Sequence, residues 1–191
     1  MSQDRRKTII SKVGRVIIKI GSSVLTDKNG NLSESIFESL AEQISKIKDK
    51  NIEVIVVSSG AIASGMKKLG LKVRPTEISM KQAIAAAGQS TLMWYYERAF
   101  SEFNLHVAQI LLTLDGLSDR KRFLNARKTL STVLSMGIIP IINENDTVAV
   151  EEIMLGDNDN LSAQITSLIE ADLLIMLTDI DGLYNKDPRS N

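Results

Sequence analysis

The segment GDNDNLSAQ, residues 156–164, carries more hydrogen-bonding side chains than the start of a helix needs. Four polar residues stand directly before an apolar, helix-like stretch: Asp157, Asn158, Asp159 and Asn160. A helix that begins near Asn160 or Leu161 uses one N-cap side chain, from Asp159 or Asn160. Asp157 and Asn158 are then left without a structural role. Carboxylates together with carboxamides suit a ligand that carries both an ammonium and a carboxylate group, as an amino acid does.

A divalent metal ion is the alternative ligand, because Asp and Asn oxygens are hard donors that suit Ca²⁺ or Mg²⁺. The spacing of an EF-hand fails, since no glycine and no late bidentate glutamate fall in register. The chain has one histidine, His106, and no cysteine, which excludes a His-rich or thiolate site within one chain. We therefore assign no metal ligand to the protein itself.

Lys19 lies inside the apolar run RVIIKI, residues 15–20, where a buried lysine is tolerated only when its charge is paired. The turn residues GSS (21–23) follow directly. At the end of a strand the ammonium group could point into a cleft and meet a polyphosphate, or it could extend to the surface. A carboxylate such as Asp159 would hold the ammonium group in place for the phosphates.

Five short apolar runs are rich in Ile, Val and Leu and mostly do not alternate with polar residues. They lie at 15–20, 52–59, 106–113, 137–143 and 172–178. Such runs are typical of strands that are covered on both faces, as in parallel sheets. Pro140 lies in the fourth run, and because proline lacks a backbone N–H we expect an irregularity in that strand.

Helical patterns lie between the runs, at 33–50, 79–103 and 119–136. In the first, apolar residues recur at the helical period, and Ser35 and Glu38 have the spacing of a capping box. Gly137 suits the C-terminal cap of the third, and residues 147–156 have the alternation of a β-hairpin. Alternating strands and helices predict an α/β fold with right-handed crossovers.

Small and polar residues follow each predicted strand. They are GSS (21–23), SSGA (58–61), LTLD (112–115), NEND (143–146) and TDIDG (178–182). In an open α/β sheet, ligands bind outside the carboxyl ends of the strands. One such cluster carries little weight, because Gly, Asn and Asp also form ordinary turns. Five clusters at one predicted edge favour a binding site there.

The common nucleotide-binding motifs are incomplete in this chain. GAIASGMK (60–67) nearly matches the P-loop, but Met66 stands at the lysine position and Lys67 at the hydroxyl position. The dinucleotide pattern G-x-G-x-x-G is absent as well. The backbone amides of SGA (59–61), where a helix opens, could still hold an anion.

Composition excludes several classes of protein. The chain has 191 residues, 43% of them hydrophobic, and its 23 basic and 23 acidic side chains balance. No global field therefore favours nucleic acid or membrane. No apolar run approaches the roughly 20 residues of a membrane span, and no long apolar region follows the basic start, so we expect no secretory signal. The absence of cysteine fits a reducing compartment, and we expect a cytoplasmic protein.

Several segments together resemble the glutamate 5-kinase family, within the amino acid kinase superfamily. They are VIIKIGSSVLT, VIVVSSGAIASGMKKLG, QAIAAAGQSTLM, PIINENDTVAV, GDNDNLSAQ and LLIMLTDIDGLYNKDPR. The resemblance implies a three-layer αβα sandwich with a mainly parallel sheet, as one amino acid kinase domain over residues 1–191. It also implies phosphorylation of the γ-carboxylate of L-glutamate by ATP, the first step of proline biosynthesis, with Mg²⁺ held mainly by the ATP phosphates.

The resemblance further implies roles for individual residues and partners. The catalytic residues would be Lys19, which contacts phosphate, and Asp159, which organises lysines. The glutamate-binding residues would be Ser59, Gly60, Asn143, Asp146 and Asn158. The ATP-binding residues would be Lys19, Gly21, Ser22, Thr178 and Asp179. Members of the family are often inhibited by proline and are usually homo-oligomers, so both properties are expected here.

One departure from the family's pattern concerns a later glycine-rich stretch that ends in Thr-Lys. In the family this stretch closes over ATP and supplies a second catalytic lysine, and the 191 residues contain neither this stretch nor a PUA domain. We therefore expect a truncated kinase domain. The open alternatives are a kinase that acts on acetylglutamate, aspartate or carbamate, and a nucleotide- or amino-acid-sensing module without turnover.

Overall fold

The strands of the computed structural model follow the predicted apolar runs, with small shifts at their ends. The structure describes residues 3–149, 158–179 and Gly182. The strands are β1 (Arg15–Ile20), β2 (Glu53–Ser58), β3 (Val107–Leu112), β4 (Ile139–Glu144) and β5 (Leu173–Leu177). They form one sheet in the order β3-β4-β2-β1-β5, and each of the four pairings is parallel. The predicted parallel sheet is confirmed.

Helices connect the strands in the described part of the chain. They are α1 (Gln3–Ile10), α2 (Ser22–Leu25), α3 (Glu34–Lys48), α4 (Ala61–Lys68), α5 (Ile78–Ser101), α6 (Leu114–Ser118), α7 (Arg120–Ser135) and α8 (Asp159–Leu168). The three long helical predictions are confirmed as α3, α5 and α7. The hairpin predicted at 147–156 lies mostly outside the described residues. Among the described helices, none has the length and apolar character needed to cross a membrane.

Both faces of the sheet are buried, and neighbouring residues of one strand enter different cores. Val16 and Ile18 of β1 pack with apolar residues of α3, α4 and α5 on one face. Ile17 packs with apolar residues of α6, α7 and α8 on the other. Each fully buried aliphatic side chain contributes about 1.5–3 kcal/mol of transfer free energy. Because helices cover the sheet on both faces, the predicted three-layer αβα arrangement is confirmed.

The same alternation decides which face each polar side chain at the carboxyl end of a strand adjoins. Lys19 shares a face with Ile17, because side chains two residues apart point the same way. That face is covered by α8. Asn143 shares a face with Ile141, and that face is covered by α5. Basic and amide groups thus reach the same edge of the sheet from opposite faces.

Two local predictions about helix ends have different outcomes. The capping box at Ser35 is wrong, because α3 begins at Glu34 with Ser33 at the N-cap position, and no side chain caps it. Ser35 therefore lies within the first turn, with its hydroxyl 3.1 Å from that of Ser33. The C-terminal cap at Gly137 is confirmed, since Gly137 has a φ of 77° and its N–H donates to the Leu134 carbonyl at 2.9 Å.

Pro140 lies inside β4 and shortens one of its two pairings. β4 pairs with β3 from Ile139 to Glu144, whereas it pairs with β2 only at Ile141 and Ile142. The pairing with β2 therefore begins directly after the proline, which has no N–H to donate. This is the irregularity expected in that strand.

Gly65 of α4 and Gly88 of α5 allow the two helices to touch at their backbones. A Cβ atom on Gly88 would lie 2.0 Å from the carbonyl oxygen of Ala61, and one on Gly65 would lie 1.9 Å from that of Ile84. No larger residue fits without moving a helix. The contact holds α5 against the start of α4, which directly follows the carboxyl end of β2.

We expect Gly88→Ala to destabilise the protein by about 1–3 kcal/mol, the usual cost of overpacking a tight contact. Helix propensity alone predicts the opposite sign, a gain of about 1 kcal/mol. Chemical denaturation measures the free energy of unfolding and decides between them. Ala86→Leu adds a larger group at an exposed position of α5 and should change stability by less than about 0.5 kcal/mol. A stabilised Gly88→Ala protein would contradict the close helix contact.

Candidate active site

The carboxyl ends of four strands lie level with one another. The register pairs Ile20 of β1 with Ser58 of β2 and with Leu177 of β5. It also pairs Val57 with Ile142, which places Asn143 beside the end of β2. The polar clusters that follow β1, β2, β4 and β5 therefore meet at one edge of the sheet.

Lys19 forms an ion pair with the carboxylate of Asp159. Lys19 is only 9% exposed, so its charge is paired rather than carried to the surface. Asp159 is the first residue of α8, where the positive end of the helix dipole also favours a carboxylate. The predicted contact between the two residues is confirmed.

The turn after β1 lies against the residues that follow β5. The Gly21 N–H donates to the Leu177 carbonyl at 3.2 Å. The Ser23 hydroxyl donates to the Asp179 carboxylate at 3.2 Å. The structure thus brings Gly21 and Ser22 together with Thr178 and Asp179. These residues form a small group of hydroxyl, carboxylate and backbone atoms beside the Lys19 strand.

Asn158 lies at the centre of the polar cluster and is 7% exposed. Its amide nitrogen lies 2.9 Å from the Ser58 carbonyl, 3.0 Å from the Ser59 hydroxyl and 2.9 Å from the Asn143 side-chain oxygen. The side chain thus links the end of β2 to the end of β4.

The amide of Asn158, which exceeded the needs of a helix start in residues 156–164, therefore joins two strands. Asn158 itself occupies the N-cap position of α8, and its side chain does not cap the helix. The N-cap assignment to Asp159 or Asn160 is wrong, because the helix starts earlier than expected and Asp159 is used by Lys19 instead. Asp157 lies outside the described residues.

Gly60 forms the connection between β2 and α4 with a left-handed backbone, at a φ of 113°. Residues with a side chain rarely adopt this conformation. The Ser59 N–H donates to the Ile20 carbonyl at 3.1 Å, and the Ser64 N–H donates to the Gly60 carbonyl at 2.9 Å. The glycine turn therefore holds Ser59 in reach of Asn158 and points the start of α4 at the edge of the sheet.

Asp146 lies in the turn that follows β4 and is half-buried. Burial raises the pKa of its carboxyl from 3.8 to about 6. The Asn145 N–H donates to the Leu112 carbonyl at 2.8 Å, and the Thr147 hydroxyl donates to the Asn145 side-chain oxygen at 2.6 Å. The turn is thus tied to β3, and it presents a carboxyl group that a nearby cation would stabilise in its charged form.

The cluster LTLD after β3 has a structural role. Thr113 is the N-cap of α6, and its hydroxyl oxygen accepts a hydrogen bond from the Gly116 N–H at 2.9 Å. The edge site is therefore built from four of the five predicted clusters. The remaining cluster, LTLD, serves to cap α6 instead.

Two residues of α5 reach the site and were not among the predicted site residues. The Gln89 side-chain oxygen accepts a hydrogen bond from the Asn143 amide at 2.9 Å. The Tyr96 hydroxyl donates to the Ser58 hydroxyl at 2.8 Å. Their seven-residue spacing places them on one helix face, which is a signal present in the sequence. The strand ends that this face meets depend on how α5 packs.

Comparison with known proteins places this architecture. The chain matches the amino acid kinase family over residues 14–191. Glutamate 5-kinase from Geobacter sp. strain M21 is 56% identical over 97% of this chain and 50% of its own length. Those from Caldanaerobacter subterraneus and Pelobacter propionicus are 55% and 50% identical, over 92% and 97% of this chain. This chain spans about half the length of these curated relatives.

A solved structure supports the fold. The crystal structure of a T. acidophilum isopentenyl phosphate kinase product complex has a TM-score of 0.59, with 93% of this chain and 75% of that chain covered. At 19% identity the likeness concerns the fold alone. The parallel sheet between two helical layers and the family match over 14–191 lead to the same result: this chain belongs to the amino acid kinase family.

Proposed function

We propose that the intact protein is a glutamate 5-kinase. It transfers the γ-phosphoryl group of ATP to the γ-carboxylate of L-glutamate and forms L-glutamyl 5-phosphate, the first step of proline biosynthesis from glutamate. The relatives that carry this name support the proposal at 50–56% identity. The structural observation that supports the proposal concerns two neighbouring residues. Asn158 of the amide cluster and Asp159 of the ion pair are consecutive residues, so a nucleotide group and an amino acid can meet at the start of α8.

Glutamate binds on the amide side of this junction. Asp146 takes the α-ammonium group, because a carboxylate pairs with a cation. The γ-carboxylate of glutamate lies against the amide cluster. This cluster consists of Ser59, Gly60, Asn143 and Asn158. A free α-amino group explains why a carboxylate belongs in this subsite. An acetylated amino acid would leave that carboxylate without a cation.

ATP binds on the other side of the junction. Lys19 meets the phosphates, and the turn at Gly21 and Ser22 lies with Thr178 and Asp179 against the nucleotide. The described residues contain no group of three or more acidic or histidine side chains that could enclose a metal. In this proposal a Mg²⁺ ion would be carried mainly on ATP oxygens, where it would neutralise phosphate charge.

The chemistry is an in-line displacement without a covalent enzyme intermediate. An oxygen of the γ-carboxylate attacks the γ-phosphorus, the bond from that phosphorus to the β-γ bridging oxygen breaks, and ADP leaves. No general base is needed, because the carboxylate is already ionised near neutral pH. The obstacle is repulsion between two anions. Lys19 offsets it and stabilises charge on the transferring group, while Asp159 holds the lysine in position.

The proposal extends to regulation and assembly. Proline is a feedback inhibitor and the intact protein is a homo-oligomer, as the family resemblance implies. Trp94 supports a subunit contact, since this large aromatic side chain is 50% exposed on α5. The Arg98 guanidinium carbon lies 5.2 Å from the centroid of this ring, and Trp and Arg are both enriched at protein interfaces.

A hydroxylamine trap tests the proposed reaction. The intact protein is incubated with Mg-ATP and separately with glutamate, aspartate and acetylglutamate, and acyl phosphate is trapped as a hydroxamate. We expect glutamate hydroxamate. Aspartate or acetylglutamate hydroxamate in its place would assign another substrate. Binding of ATP and glutamate without any hydroxamate would assign a sensing role instead.

Lys19→Ala should lower kcat by about 10²–10³, the scale of losing one electrostatic donor to the transferring phosphoryl group. Steady-state kinetics on the intact protein measure the change. Lys28→Ala removes a lysine from an exposed loop and serves as the matched control, with kcat unchanged. A Lys19→Ala enzyme with full kcat would remove this lysine from the reaction.

Asp146→Ala should raise the KM for glutamate about 10–100-fold, because one charge-assisted hydrogen bond to the α-ammonium group is lost. The KM for ATP should stay within about twofold of its original value, since the nucleotide lies on the other side of the junction. Asp49→Ala, at the exposed end of α3, is the control. An unaltered glutamate KM would take Asp146 out of the substrate site.

The KM for glutamate should fall about tenfold between pH 5 and pH 7, because only the ionised Asp146 pairs with the α-ammonium group. The raised pKa of about 6 sets this window. Initial rates at several pH values measure it, and Asp146→Asn should abolish the dependence.

The ligand-free protein should lose stability as the pH rises, whereas its affinity for glutamate should increase. The unfolded chain loses this proton near pH 3.8, whereas the folded chain keeps it to about pH 6. Between pH 3.8 and about 6 the unfolded state therefore binds fewer protons, and the folded state loses stability as the pH rises through this range.

A glutamate KM that is flat from pH 5 to pH 7 would contradict the assignment of Asp146 to the substrate site.

A further inference from the structure

We infer that α5 positions the glutamate subsite through three polar side chains at seven-residue spacing, Gln82, Gln89 and Tyr96. The inference rests on the proposed function and names residues that act on that site without touching substrate. Seven residues are close to two helical turns, so the three side chains lie along one face of α5. Each reaches a different segment at the edge of the sheet.

Gln89 sets the direction of the amide chain. Its side-chain oxygen accepts from the Asn143 amide nitrogen at 2.9 Å, which leaves the Asn143 oxygen to face the Asn158 amide nitrogen at 2.9 Å. The same Asn143 oxygen accepts the Glu144 N–H at 2.9 Å. An Asn143 amide turned the other way would set donor against donor at Asn158. The acceptor on Gln89 therefore fixes the orientation in which Asn143 meets Asn158 and presents its second amide hydrogen to the substrate. Both amide hydrogens of Asn158 are already engaged.

Tyr96 fixes the segment after β2. Its side chain is fully buried, and its hydroxyl donates to the Ser58 hydroxyl at 2.8 Å. The Ser58 hydroxyl in turn donates to the Ser59 carbonyl at 2.9 Å. This short chain of hydrogen bonds ends at the residue that precedes the left-handed turn at Gly60. It therefore sets the position of the Ser59 hydroxyl, which Asn158 also contacts.

Gln82 fixes the turn after β4. Its amide nitrogen donates to the Ala149 carbonyl at 3.2 Å. The Ala149 N–H donates to the Asn145 carbonyl at 3.0 Å, so the turn that carries Asp146 is closed on itself and tied to α5. The carboxylate proposed for the α-ammonium group is thereby held at a set height above the sheet.

The helix is well suited to this role because its own position is rigid. Gly88, next to Gln89, packs backbone to backbone against α4. The Tyr96 ring packs edge-on against Phe37 of α3, with ring centroids 4.9 Å apart. Because α5 is held at both places, it can fix the positions of the segments that it contacts.

Stability alone does not account for glutamine at position 89. Its amide nitrogen is buried and has no hydrogen-bond partner among the described residues. Burying a donor without an acceptor is costly, and an apolar side chain would avoid that cost. The oxygen of the same amide makes the contact to Asn143, so the glutamine is explained by the orientation it imposes.

The test compares Gln89→Met and Tyr96→Phe in the intact protein. Methionine keeps the approximate length without hydrogen bonds, and phenylalanine removes only the hydroxyl. Gln89→Met should raise the glutamate KM about tenfold, the effect of one misdirected amide contact, while the ATP KM stays within about twofold. Tyr96→Phe should act in the same direction. Gln43→Met is the matched control, because Gln43 is exposed and its amide nitrogen bonds to Ser39 of its own helix.

A double-mutant cycle shows whether Gln89 acts through the amide chain. In an Asn143→Ala background, Gln89→Met should cause no further rise in glutamate KM, because the amide that Gln89 orients is gone. Fully additive effects would overturn the inference. Glutamate and ATP KM values that rise equally, or that both stay unchanged in Gln89→Met and Tyr96→Phe, would overturn it as well.

Amide hydrogen exchange separates this inference from the proposed function. Gln89→Met should speed exchange in residues 143–149, and Tyr96→Phe should speed it in residues 58–61, with the rest of the chain unchanged. A wild-type protein that forms no glutamyl phosphate would end the proposed function, and the exchange pattern would still decide about α5. Unchanged exchange in both segments, or faster exchange everywhere, would overturn the positioning role.

Discussion

A lysine inside an apolar strand persists only when its charge is compensated, and the Lys19–Asp159 ion pair meets that condition. Replacing both partners of an ion pair by apolar side chains is often neutral for stability, and here the Asp159 side chain is still 38% exposed to solvent. Fold stability therefore does not require this pair. Its place at the carboxyl end of β1 and the start of α8 gives it a use that an apolar pair lacks. A fixed positive charge lies where the chain also supplies an amide.

The sheet separates the two halves of the candidate site by strand alternation. Lys19 adjoins α8 on one face, whereas Ser58 and Asn143 adjoin α5 on the other. Only at the edge, where the strands end, do the two sets approach each other. Asn158 reaches across from the start of α8 to both strand ends. An anionic donor and an amino acid acceptor can thus approach from different sides without sharing a subsite.

Sequence patterns sufficed for the strands and for the charge pair because each rests on a local cost. Uninterrupted apolar runs must be buried on both faces, and Lys19 must find a carboxylate. The contacts of Gln89 and Tyr96 could not be derived in this way. They depend on the height of α5 above the strands, which the backbone approach of Gly65 and Gly88 sets. The N-cap of α8 was misplaced because several neighbouring side chains could serve, and the demand of Lys19 for Asp159 decided among them.

The sharpest test of how the two substrates meet is a crystal structure of the intact protein with glutamate and a non-hydrolysable ATP analogue. We expect the γ-carboxylate of glutamate beside Asn158, with its α-ammonium group on Asp146. We also expect the terminal phosphate of the analogue on the ammonium group of Lys19, while Lys19 keeps its contact with Asp159. Glutamate bound away from the Asn158 cluster, or phosphates that do not approach Lys19, would contradict this arrangement.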